Sequence, residues 1–154
     1  MMKKITFALM LAAVFASTTA FAADEVKPAA QTFEYKYKTP KLNKAQIDAL
    51  LAKPADVLFI DLRRPDELTK IGGLPVYLSI QTDDLEKSLA YIPKDRNVAT
   101  ISNHAGRAGK AGDFLSTKGF KVVGAIGVQN YEEDGGKLTK IAIPPPRATA
   151  PAQK

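Results

Sequence analysis

Apolar runs alternate with helix-spaced segments through most of this chain. Val57 to Ile60 ("VLFI") is continuously apolar, as expected of a strand buried on both faces of a parallel sheet. Pro65, a few residues on, suits the first turn of a short helix. "VYLSI" (76–80) is a second strand. The following "TDDLEKSLAYIPKD" predicts a helix capped by Thr82, with Asp83 and Asp84 at its positive end and Leu85, Leu89 and Ile92 as its apolar stripe. "VATI" (98–101) is a third strand, Ala108 to Lys118 a helix with Gly119 at its C′ position, and "KVVGAI" (121–126) a fourth strand. Ahead of these, Asn43 and Gln46 form a capping box for "KAQIDALLAK", whose Ile47, Leu50 and Leu51 fall at helical spacing before Pro54 stops it. "FEYKYK" (33–38) alternates aromatic with charged residues, the pattern of an edge strand with one wet face. The alternation of strand and helix predicts an α/β fold, a mostly parallel sheet with helices on both faces and ligands at the carboxyl ends of its strands.

The ends of the chain follow other rules. Residues 1–22 combine Lys3 and Lys4, an uncharged run from Ile5 to about Ala16, and Ala20-Phe21-Ala22, the order of a secretory signal peptide. Ser17, Thr18 and Thr19 interrupt the apolar run before it reaches the ~20 residues of a spanning helix. The expected location is periplasmic or secreted, with no membrane insertion after cleavage. Residues 23–41 read as a leader plus the edge strand, 42–142 as the folded domain, and 143–154, rich in Pro and Ala, as a disordered tail.

Composition narrows the chemistry. The chain has no cysteine, which removes disulfides, thiolate metal sites, thiol nucleophiles and acylated lipoprotein anchoring. Its net charge of +6 falls to +4 once Lys3 and Lys4 are removed. So small an excess, scattered along the sequence, does not point to nucleic acid or to an anionic lipid partner. One histidine, with no cysteine beside it, offers no metal site, and no cofactor is expected.

The candidate chemistry lies in "NVATISNHAGRAGKAGDFLSTKGF" (97–120). A strand ends at Ser102, a loop of small and polar residues follows, and a helix begins. Backbone N–H groups of Asn103, His104, Ala105, Gly106, Arg107 and Ala108, with the Arg107 side chain, are expected around one point, a cradle for an anion. Gly109 and Gly112 each lower helix stability by about 1 kcal/mol relative to alanine, which implies close packing against the sheet.

Three pieces of this sequence resemble the rhodanese (sulfurtransferase) family. "FIDLRRPDEL" (59–68) is similar to its first motif, through Asp61, Arg63 and Glu67. "SNHAGRAGKAGDFLSTKGF" (102–120) is similar to its active-site loop, and "GVQNYEEDGG" (127–136) to its closing motif, with Tyr131 where tryptophan is commoner. The resemblance implies a rhodanese-like three-layer sandwich from about Leu42 to Ile141. It also aligns Ser102 with the catalytic cysteine and replaces the family's Gly-His-Ile-Pro turn by Gly72-Gly73-Leu74-Pro75. Sulfur transfer in this family runs through a cysteine persulfide, which a serine hydroxyl cannot form. The chain therefore reads as a non-catalytic module that binds a small anion (sulfate, phosphate or carboxylate) or a protein partner. The alternative is a hydrolase or phosphate-processing enzyme using Ser102, His104 and Arg107. Of the supporting residues, Glu67 is expected to pair with Arg63 four positions earlier, and Asp61 to orient the loop or cap the next helix. "DDLEK" and "YEEDGGK" read as solvated surface. Mass spectrometry of exported protein is expected to show a chain beginning at Ala23; intact residues 1–22 on a membrane-bound product would overturn the signal-peptide reading.

Overall fold

The computed structural model describes residues 34–142. The expected signal peptide, most of the leader and the Pro/Ala-rich tail lie outside the described residues. In chain order the elements are α1 (Lys44–Leu51), β1 (Val57–Asp61), α2 (Pro65–Ile71), β2 (Leu78–Ser79), two 3-10 turns (Thr82–Asp84 and Leu89–Tyr91), β3 (Asn97–Ser102), α3 (Gly106–Thr117), β4 (Lys121–Gly127) and α4 (Val128–Glu133). All four strands are parallel, in the order β2-β1-β3-β4.

Alternation along the strands builds one core on each face of the sheet. Val57, Phe59, Ala99, Ile101 and Ile126 pack with Ile47 of α1, Leu74 and Tyr131 of α4. Ile60, Val98 and Leu62 pack on the other face with Leu85, Ile92 and the α3 residues Ala111 and Leu115. The expected α/β sandwich is thus present. Two helix ends match their sequence signals closely. Asn43 Oδ1 accepts from Gln46 N–H at 3.0 Å while Gln46 Oε1 accepts from Asn43 N–H at 3.0 Å. Gly119, at φ +83°, lets the N–H groups of Gly119 and Phe120 close back on Ser116 O and Leu115 O at the end of α3.

Three expectations are corrected. The described part of "FEYKYK" forms no strand; apart from the single bridge Lys41–Ala125, the chain here packs as an extended strap on α3. Asp113 holds it, accepting from Lys38 N–H (3.0 Å), Thr39 N–H (2.7 Å) and Thr39 Oγ1 (2.8 Å). Gly109 and Gly112 accordingly make room for Tyr35, Tyr37 and Thr39 of this strap rather than for the sheet. Finally, the helix expected after Thr82 is two short 3-10 turns. The Thr82 hydroxyl donates to Leu62 O (3.2 Å) and so does not cap, while Leu85 and Ile92 are drawn into the core.

The strap explains a reversal of the usual helix rule. Alanine for an exposed helical glycine stabilises by about 1 kcal/mol. At Gly112 an added Cβ would lie 2.6 Å from Thr39 Oγ1 and 3.0 Å from Thr39 Cβ, atoms close to the backbone that Asp113 clamps. Gly112→Ala is expected to destabilise by about 1–2 kcal/mol net, read by thermal unfolding. A rise in melting temperature would mean the strap is not held against α3.

Candidate functional site

The carboxyl ends of β1, β3 and β4 bring the sequence-predicted residues to one side of the sheet, but most of them bond to one another. Ser102 closes β3 in register with Gly127 of β4, on the face that carries α3. It is 1% exposed, and its Oγ accepts from Ala108 N–H at 3.0 Å. Two residues earlier on the same face, Thr100 Oγ1 donates to Ala108 O at 2.8 Å. The pair of hydroxyls therefore fixes the first turn of α3 from both sides of one residue. Ser102 acts as a cap displaced from the N-cap position, which Ala105 occupies without a side-chain acceptor.

Between Ser102 and α3 the loop turns tightly. Ala105 is fully buried at φ +62°, a left-handed conformation that costs an L-residue roughly 1 kcal/mol. Gly106 N–H donates to His104 O, and Gly109 N–H to Ala105 O. The loop crosses the end of β4 so closely that a Cβ on Gly127 would lie 2.8 Å from Ala105 N and 3.0 Å from His104 C. Only glycine leaves that passage open. His104 is exposed, and among the described residues no hydrogen bond joins it to Ser102.

The ionic groups pair differently from the sequence expectation. Glu67 does not bond Arg63. It accepts from Arg107 Nη1 (3.0 Å) and Nη2 (2.5 Å), from Asn103 Nδ2 (2.8 Å) and from Arg64 N–H (3.0 Å), linking α2 to the loop and to α3. The Arg107 hydrogen bonds hold its carboxyl down at about 2. Arg63 does not lie on α2, which begins two residues later at Pro65. Arg63 is instead 0% exposed and donates to Asp61 through Nε (3.0 and 3.2 Å) and Nη2 (2.8 Å), and to Gly72 O through Nη1 (2.9 Å). Asp61 therefore anchors Arg63 and neither orients the loop directly nor caps α2, whose N-cap residue is Arg64. Sequence reasoning missed Thr100, which shows no motif, and the burial of Tyr131, which it placed in the closing motif but within a run read as solvated. Tyr131 is 6% exposed and donates to Asp48 Oδ1 of α1 at 2.7 Å. Among the described residues no group of three or more His, Asp or Glu is placed to hold a metal ion.

Glu67 makes acid sensitivity testable. Its value of about 2 in the fold lies below its usual 4.5, so the stabilisation it gives is complete above about 4.5 and is lost as pH falls from there through about 2. Glu67→Gln is expected to lower stability at pH 7 and to flatten the decline of the unfolding midpoint between those limits. Parallel acid-denaturation curves for the two proteins would mean that Glu67 carries no such linkage.

No protein-family model matches the chain, and no curated protein matches its sequence. Solved structures do match. A rhodanese-related protein of Thermoplasma volcanium is 25% identical, with 66% of this chain and 99% of that one covered and a TM-score of 0.57. A rhodanese-like domain protein of Staphylococcus aureus, 17% identical, covers 65% of this chain and 98% of its own at a TM-score of 0.55, a likeness of fold alone. A thiosulfate sulfurtransferase of Pseudomonas aeruginosa is 25% identical at a TM-score of 0.51; 66% of this chain aligns with 20% of that larger enzyme. With the parallel sheet and the Ser102 loop, these likenesses show that the chain has a rhodanese-like fold, in a sequence that contains no cysteine.

Proposed function

We propose that this protein is an exported, non-catalytic rhodanese-like module that works by binding, with a weak oxyanion site left at its carboxyl-end loop. The observation that carries this reading is the Ser102 hydroxyl: 1% exposed and accepting from Ala108 N–H, it stands where the resemblance puts a reactive thiolate and serves the helix instead. A hydroxyl so placed cannot take up sulfane sulfur. The same burial argues against Ser102 as a hydrolytic nucleophile, since a substrate carbonyl or phosphorus must reach Oγ.

Anion binding rests on what remains at the mouth of the loop. No thiolate charge sits at its centre, α3 presents its amino end there, and the Arg107 side chain is 36% exposed. Glu67 competes for that guanidinium. Sulfate, phosphate or a carboxylate is therefore held weakly, with a dissociation constant of millimolar order, about 4 kcal/mol.

The purified protein is expected to show no thiosulfate:cyanide sulfurtransferase activity, and Ser102→Cys to supply the missing nucleophile for any activity the loop retains. Turnover by the unaltered chain would overturn the non-catalytic reading. Thermal unfolding against sulfate concentration tests the site itself. Glu67→Gln, by releasing Arg107, is expected to tighten the saturable component several-fold, and Arg107→Ala to remove it while leaving the nonspecific salt slope. Identical curves for all three proteins would mean that the loop holds no anion.

A further inference from the structure

We propose that the amino-terminal end of the sheet, opposite the Ser102 loop, docks this protein peripherally on the anionic headgroups of a lipid bilayer. The strands are parallel and in register, with Val57 beside Asn97 and Asn97 beside Lys121, so the three segments leading into β1, β3 and β4 meet at one end. Those segments carry Lys53, Lys94, Arg96, Lys118 and Lys121, against two carboxylates, Asp56 and Asp95. The segments are tied together: Arg96 Nη2 donates to Ala55 O (2.5 Å) and Pro54 O (3.2 Å), and Lys94 Nζ lies 5.4 Å from the centre of the Phe120 ring.

None of these five cations forms a salt bridge among the described residues, whereas at the other end Arg63, Arg64 and Arg107 are all paired with carboxylates. The four lysines are exposed. Lys118 Nζ sits 5.3 Å from the Phe114 ring centre, so the charges at this end ride on aromatic shelves. Tyr91 stands beside them, three residues before Lys94. Tyr91 is 83% exposed, while its neighbour Ile92 is buried in the cluster that holds Val98 and Phe120. Uncompensated lysines with an aromatic ring turned out to water match a headgroup layer, where phosphates meet the ammonium groups and tyrosine settles at the apolar boundary. An acidic protein would satisfy the lysines and leave the ring without a role. No insertion is implied, since among the described residues no helix is long and apolar enough to cross a membrane.

The test uses the exported chain and sedimentation with vesicles of phosphatidylcholine containing about one third phosphatidylglycerol, against phosphatidylcholine alone. Binding is expected only to the anionic vesicles, and to fall about ten-fold between roughly 50 and 300 mM salt as the charges are screened. The double variant Lys118→Glu/Lys121→Glu is expected to lose binding at least ten-fold. Lys70→Glu/Lys137→Glu, the same charge change outside these three segments, is expected to retain it. Because the chain has no tryptophan, Tyr91→Trp supplies a single tryptophan, whose emission is expected to shift to the blue on anionic vesicles alone. Equal binding by the two double variants, or an unshifted Trp emission, would overturn the proposal. So would retention by polyglutamate without vesicle binding, which would assign this end to an acidic protein.

Discussion

Asp61 and Arg63 form an ion pair from which solvent is excluded altogether, and the carboxyl end of the sheet is organised around it. Asp61 is the last residue of β1, and its carboxylate accepts the Arg63 backbone N–H (3.1 Å) as well as the guanidinium. The far side of that guanidinium reaches Gly72 O, at the end of α2, and the next residue, Gly73, bridges to Thr139. One arginine therefore fixes where β1 stops, where α2 returns and where the segment after α4 is fastened. Removing one partner of such a pair leaves a buried charge and costs about 3–5 kcal/mol, whereas replacing both by apolar groups of like volume costs little. The pair thus specifies an arrangement more than it adds stability, and it keeps Arg63 from any ligand.

The loop at the end of β3 shows the same inward use of polar groups. A thiolate at position 102 would gather backbone donors because it carries a full charge. A hydroxyl carries none, and it settles for one N–H of α3 while Thr100 takes the carbonyl of the same residue. Arg107 turns to Glu67, and Asn103 joins them. The loop's geometry is built from the backbone as well: a left-handed Ala105, a glycine at 127 to let the loop pass, and a helix amino end pinned to the sheet.

How much of this was legible follows from the range of each interaction. Caps are local, and both Asn43 with Gln46 and the Gly119 closure are read directly from neighbouring residues. Buried strands such as Val57–Asp61 announce themselves by apolar runs, and the parallel α/β order follows from their alternation with helices. The failures are long-range. Alternating aromatics at 33–38 fit a strand, but Asp113, some 75 positions away, holds that segment on α3. Glu67 has an arginine four residues before it in sequence, yet its partner is 40 positions ahead, because Pro65 sets the helix phase and sends Arg63 inward. Tyr131, in an acidic run, is buried because α4 turns it onto Asp48.

Charge distribution is the property that sequence hides most completely. Lys53, Lys94, Arg96, Lys118 and Lys121 are spread over nearly seventy positions, and along the chain they look like ordinary solvating charges. Parallel topology gathers them, since every strand starts at the same end and every connection must return there. At the carboxyl end the opposite happens: cations and carboxylates neutralise each other across short distances, Arg63 with its sequence neighbour Asp61 and Arg107 with Glu67 of another helix. The two ends of the sheet therefore differ in electrostatic character although neither differs much in composition. At the carboxyl end the field is short-ranged and confined to hydrogen-bonded pairs. At the amino end the charges act together over about a Debye length, roughly 8–10 Å at ordinary salt, and so can orient the whole domain towards an extended anionic surface.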